Sequence, residues 1–157
     1  MQKKGISIRF ACLDDWPKIV KLATAMHAES RFSKLKLDEQ KLRNIFLEQL
    51  SSPRVACCLL AYKSDGIVVG MLVGFVTEFF FTRQLVAQDR VFFVLPEYRG
   101  TSAAVRLLTA FRKWAENRNV QELNINMSVA VDMPRFERFM THMGFAKCGT
   151  NFFYQMR

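Results

Sequence analysis

Residues 94–108, VLPEYRGTSAAVRLL, join a strand end, a proline, an Arg-Gly turn and a row of small side chains that opens a helix. Helix N-termini leave backbone N–H groups unpaired, and the aligned peptide dipoles add partial positive charge there. Small side chains from Gly100 through Thr101, Ser102, Ala103 and Ala104 let an anion approach those amides, and Arg99 adds a permanent charge. The chemistry this favours is the binding of a diphosphate. Neither commoner phosphate loop fits, because the chain has no GxxxxGK[ST] and no GxGxxG with an acidic residue about twenty positions on. Taken alone, the Arg-Gly turn also suits an ordinary strand-to-helix connection in which Gly100 supplies only backbone freedom.

The surrounding periodicities predict what must position this segment. Residues 6–11 alternate as a half-buried strand. Asp14 and Asp15 then supply an N-cap for a helix with Pro17 in its first turn and Ile19, Leu22, Ala23 and Met26 as its stripe. A basic loop spans 31–36, and Asp38 caps a second helix carrying Leu42, Ile45, Phe46 and Leu50. From Pro53 the period changes, and residues 55–62 and 67–81 read as a hairpin around the turn at 63–66. Residues 87–95 are a further strand and 101–117 the clearest amphipathic helix, followed by a strand at 122–127. A short helix at 133–143 ends at Gly144, with a short strand near 145–148 and a last one at 152–156. The expected fold is α/β: a central mixed sheet of about six to seven strands, flanked on both faces by about four helices. Without repeats or a linker, residues 1–157 read as a single domain.

Half of the 157 residues are hydrophobic and 24% are charged, a balance that excludes a disordered chain. The net charge of +9 favours acidic partners such as a nucleotide or an acidic protein face. The basic residues are scattered rather than gathered on one element, which argues against nucleic-acid binding. Cys12, Cys57, Cys58 and Cys148 lack the spacing of a zinc site, so no metal is expected, and Cys57 and Cys58 read as small buried hydrophobes. No segment has the form of a signal peptide or of a membrane span, which points to the cytoplasm and reduced thiols.

With Val94, Pro96, Tyr98, Arg99, Gly100, Ala104, Leu107 and Leu108 in register, the segment resembles the strand-loop-helix of the GNAT superfamily of acyl-CoA-dependent N-acetyltransferases. That hallmark reads roughly V-x-P-x-Y-R-G-x-G-x-G/A-x-x-L-L, and here its central glycine is Ser102. The string RGxxAAxRLL is also similar to members encoded by bacteriophages, for which the compartment would be the host cytoplasm. Toward the C-terminus, Phe139, Gly144 and Phe145 keep the frame of the family pattern N-x-x-A-x-x-L-Y-x-K-x-G-F, a helix beneath the cofactor.

The resemblance implies acetyl-CoA as cofactor and transfer of its acetyl group to an amine by direct attack. The acceptor would be a small molecule or a protein, and acidic by the charge argument. Strand 91–95 would splay from strand 122–127, with the backbone of Phe92, Phe93 and Val94 pairing with the pantetheine arm. The amides of 100–104 would hold the pyrophosphate, and Phe139 would lie under the cofactor. Transfer needs a base for the acceptor ammonium. Asp89, on the strand before the cradle, is the first candidate and Glu78 the second, while Ser128 would bind either ligand. The family's tyrosine acid falls on Met140, its lysine on His142 and its asparagine on Met133. His142 is expected on the solvent face and His27 at a helix end.

Two other readings stand beside this one. Ser102, Met133 and Met140 also suit a catalytically degenerate member that binds CoA or a host protein. The apolar run 68–81, ending in Phe79-Phe80-Phe81, would then be a gripping face or the face of a homodimer. A nucleic-acid binder would show a steep salt dependence of affinity.

Overall fold

The computed structural model describes residues 5–126, 132–149 and 151–156. The elements are β1 (Ile6–Phe10), α1 (Trp16–Glu29), α2 (Glu39–Ser51), β2 (Ala56–Lys63), β3 (Val68–Glu78), β4 (Leu85–Val94), α3 (Ala103–Glu116), β5 (Glu122–Asn124) and α4 (Met133–His142). They build a five-stranded sheet in the order β1-β2-β3-β4-β5, antiparallel throughout except for the parallel pair β4 and β5.

Strand β2 shows why helices must cover both faces. Its first six residues are all buried, so it cannot turn either side to water. Cys57, Leu59 and Ala61 join the core beneath α3 and α4, whereas Cys58 and Leu60 join the core beneath α1 and α2. Burial pushes both thiols up to about 12, the behaviour of inert hydrophobes rather than reactive cysteines. Helix α3 buries Leu107, Leu108, Phe111, Trp114 and Ala115, as its periodicity predicts, with Ala103 buried where the periodicity put Ala104.

Three expectations need correction. The sheet has five strands among the described residues, not six or seven: 145–149 and 151–156 form none, and Phe152, Phe153, Tyr154 and Met156 are exposed. Alternation makes a strand only where an edge offers partners, and β5 offers a short one because it ends at Asn124. Asp38 caps α2 as expected, accepting from the Lys41 amide at 2.9 Å. Asp15 does not cap α1 with its side chain. Its carboxylate, 2% exposed, takes a bidentate pair from Arg9 at 2.6 and 2.8 Å and the Cys12 amide at 2.9 Å. That pairing holds its carboxyl well below the usual carboxylate range and ties β1 to the start of α1. Finally, the run 68–81 is no open face, since its first five residues lie buried inside β3. Phe80 and Phe81, in the turn beyond, are the part that reaches solvent fully.

Helix α3 approaches β3 closely because Gly74 has no side chain. A Cβ there would fall 2.3 Å from Cε2 of the buried Phe111 ring. Gly74→Ala should therefore cost about 1–3 kcal/mol in urea unfolding, as overpacked cores do. Phe111→Leu should cost measurably less in the Gly74→Ala background than in the wild type. Additive costs would show that the ring and the glycine are not coupled.

Candidate active site

The site begins with a register change. Val73 of β3 pairs with Val91, but the next residue, Gly74, pairs with Asp89, so Arg90 is an extra residue in β4. Such a bulge shifts the side-chain alternation by one. Ala87 before it lies in the core beneath α3, and after it Phe92 and Val94 face that core while Val91 and Phe93 face α1 and α2.

At the same point β4 loses its parallel neighbour. Pairing with β5 covers Val86, Ala87 and Gln88 and then stops. Asp89 accepts the backbone N–H of Asn126 at 2.7 Å, a donor that a longer strand would have spent on the ladder, and its side-chain amide at 3.3 Å. Beyond it, the Leu95 amide donates to Val69 of β3. Strand alternation then turns the backbone groups of Val94 and Phe92 to the opposite edge, where no described strand pairs with them. The result is a slot, closed at one end by Asp89 and Asn126.

At its other end lies the turn into α3. Gly100 adopts φ +93°, a conformation that strains any residue with a Cβ. The Thr101 amide turns inward to Tyr98 at 3.2 Å, and the Ala103 amide meets the Thr101 hydroxyl at 3.3 Å. The amides of Gly100, Ser102 and Ala104 have no partner among the described residues. These are among the donors that a bound anion would find.

Arg99 is only partly available. Its Nε donates to the Val94 carbonyl at 2.9 Å, and a terminal nitrogen pairs with Glu29 at the end of α1 at 2.8 Å. Its guanidinium also lies over Phe93, 5.5 Å from the ring centroid. A second guanidinium, that of Arg135 on α4, stands against the cradle: a Cβ on Gly100 would lie 3.4 Å from its Nη2. Sequence reasoning missed Arg135, because nothing in its spacing brings α4 to the turn.

The structure does not bring the candidate carboxylates together. Asp89 is 6% exposed at the fork of the strands. Glu78 is exposed at the end of β3, paired in register with Leu85. It stands four residues beyond Gly74, roughly 13 Å along the strand. Phe139 is half-buried against the core beneath α3, beside Phe136. Met140 is buried in that same core, and Met133 and His142 are exposed. His27 is half-buried near the end of α1, and Ser128 and Met127 fall outside the described residues. No group of three or more potential metal ligands occurs among the described residues. None of the described helices is long and apolar enough to cross a membrane.

The site thus combines a bulged strand that parts from its parallel neighbour with a small-residue turn at a helix N-terminus. Residues 17–145 match the model of the acetyltransferase (GNAT) family, so the chain belongs to that family and is an acyl-CoA N-acetyltransferase. No curated protein sequence matches it. Solved structures share the fold at low identity. Aminoglycoside N-acetyltransferase AAC(6')-Iy in complex with CoA aligns with a TM-score of 0.78 and 17% identity, covering 100% of this chain and 99% of that one. Aminoglycoside 6'-N-acetyltransferase AAC(6')-Ih from Acinetobacter baumannii gives 0.72 and 19%, over 98% and 99%. Glucosamine-6-phosphate N-acetyltransferase from Arabidopsis thaliana gives 0.76 and 11%, over 98% and 99%.

Burial pushes the Asp89 carboxyl up to about 6, against the two Asn126 hydrogen bonds that favour its charged form. Its folded value thus stands above the ordinary ~3.9. Between about pH 4 and 6 the folded chain keeps a proton that the unfolded chain has lost. The group's contribution to stability is therefore fully present below about pH 4 and is lost as pH rises through 6. Asp89→Asn should remove this dependence, gaining about 3 kcal/mol on the wild type between pH 4 and pH 7 in urea unfolding. A constant difference across that range would mean that the carboxyl titrates normally.

Proposed function

We propose that this chain, folded as one domain, transfers the acetyl group of acetyl-CoA to an amine by direct attack, without a covalent enzyme intermediate. The observation that supports this most is the parting of β4 from β5 after Gln88, which leaves a strand edge running from Asp89 to the cradle at Gly100. The residues present fit the cofactor. Gly100 offers a backbone surface without a Cβ, and the amides of Gly100, Ser102 and Ala104 suit a diphosphate. The edge groups of Phe92 and Val94 suit the amides of a pantetheine arm, although Arg99 shares the Val94 carbonyl. Phe93 takes part less directly, since its backbone faces β3. The thioester, when bound, supplies an acetyl group already activated toward amines.

An arm lying along this edge from the cradle ends at Asp89, roughly 16 Å away. There, a carboxylate with a value near 6 is suited to take a proton from an acceptor ammonium at neutral pH. Glu78, exposed and one strand end away, is the second candidate. Met140 offers no proton, so protonation of the departing sulfur falls to solvent.

The acceptor is proposed to be acidic, whether a small molecule or a protein. Three cations, Arg31, Lys34 and Lys36, follow Glu29 in the loop after α1, and Glu29 is tied to the cradle by Arg99. A loop of this charge favours acidic acceptors and works against polycationic ones. A homodimer is also proposed, supported by the exposed Phe80 and Phe81 and the exposed aromatic residues of 152–154.

Two measurements test this. Acetyl-CoA at about 1 mM should raise the unfolding temperature by mass action, and failure to do so would remove the cofactor reading. With an acetylated amine identified by mass spectrometry, Asp89→Asn should lower kcat about 100-fold or more and abolish the acid limb near pH 6. CoA affinity should stay unchanged. A variant within threefold of wild type and with the same limb would make Asp89 a strut for Asn126 instead.

A further inference from the structure

We infer that Arg135, rather than Arg99, supplies the cation that neutralises the cofactor diphosphate, so that α4 closes the cradle from the side opposite α1. The inference rests on the CoA reading above and names a residue of that site. Arg99 carries the charge in the loop motif, but two of its three guanidinium nitrogens are taken by Glu29 and the Val94 carbonyl. The Glu29 carboxylate also offsets its charge, and its geometry makes it a clamp between the turn and α1. Arg135 differs on each count. It is exposed, and no carboxylate among the described residues pairs with it. Its Nη2 lies where a Cβ on Gly100 would be in contact with it, against the backbone whose amides are unpartnered.

Its root is also fixed. Asp132 caps α4 by accepting the Arg135 amide at 3.0 Å, and the far end of α4 is held by Arg112 of α3, which donates to the Met143 carbonyl. A guanidinium presents several donors in one plane and suits the paired oxygens of a diphosphate. Gly100 is glycine for its positive φ, and Arg135 lies at contact distance from the face that a Cβ would occupy.

The test compares CoA, dephospho-CoA and pantetheine as ligands of the full chain by calorimetry or by competition. Arg135→Gln should weaken CoA and dephospho-CoA about tenfold each, leave pantetheine unchanged and flatten the salt dependence of CoA binding. Arg135→Lys should keep most of the affinity. The unliganded unfolding temperature of both variants should match wild type, whereas Arg99→Gln should lower it by releasing α1. Undiminished CoA affinity in Arg135→Gln would overturn the inference while leaving the CoA reading intact. So would a loss confined to CoA, which would place Arg135 on the 3′-phosphate, or an equal loss for pantetheine. A wild-type chain that binds none of the three would sink the CoA reading and this inference together.

Discussion

Backbone donors and acceptors inside a protein must find partners, and β4 is where this constraint organises the molecule. One edge of β4 is paired to β3 along its length, while the other is paired to β5 for three residues only. A central strand left half-open in this way would be a liability unless something else completed it. At the fork, the Asp89 carboxylate satisfies the Asn126 donors that the ladder leaves unpaired. At the far end, Arg99 completes part of it by taking the Val94 carbonyl. Between them lies an edge of the right kind for an extended ligand carrying amides. The slot is therefore a stretch of sheet whose missing strand none of the described residues provides.

Packing holds the slot open. Gly74 lets the Phe111 ring sit on β3 directly opposite the bulge, and a Cβ on Gly70 would fall 2.9 Å from the Phe93 carbonyl. Both glycines bring α3 down onto the sheet at the two ends of the open edge. The N-terminus of α3 is thereby carried to the end of β4, beside the open edge. On the other face, Glu29 and Arg99 bind the end of α1 to the same turn. Neither helix could tilt without moving the cradle.

Much of this was legible in the sequence, and the parts that were not share a physical cause. The stripe of α3, the cap at Asp38, the Cys57-Cys58 strand and the Arg-Gly turn each depend on neighbours a few residues away, and each stands where the periodicity put it. The strands at 145–148 and 152–156 depend on a distant edge, and local alternation could not reveal that β5 ends at Asn124. Asp15 looked like a cap because caps are local, but its carboxylate answers to Arg9 across a strand end. Arg135 carried no signal at all: its relation to Gly100 exists only once α4 has folded back over the turn. Asp89 was legible as a carboxylate on the strand before the cradle, but its burial was not, because burial depends on what packs around the fork of the strands.

The bulge links the two halves of the site more tightly than either motif suggests. One inserted residue, Arg90, breaks the alternation so that Asp89 and Phe92 face the same core. Without it, continued alternation from Ala87 through Asp89 would have turned Val91 and Phe93 toward α3 and exchanged the slot-facing backbone groups with those facing β3. The insertion therefore sets which peptide groups line the open edge beyond Asp89, whose own facing follows from alternation with Ala87. Burial there keeps the carboxyl near 6, a value it would not hold at the exposed end where Glu78 stands. Met140, by contrast, is turned into the core beneath α3, where a tyrosine hydroxyl would need a partner of its own. The end of the slot proposed to accept a proton is thus built by strand geometry, whereas the position that falls on the family's tyrosine has been given over to packing.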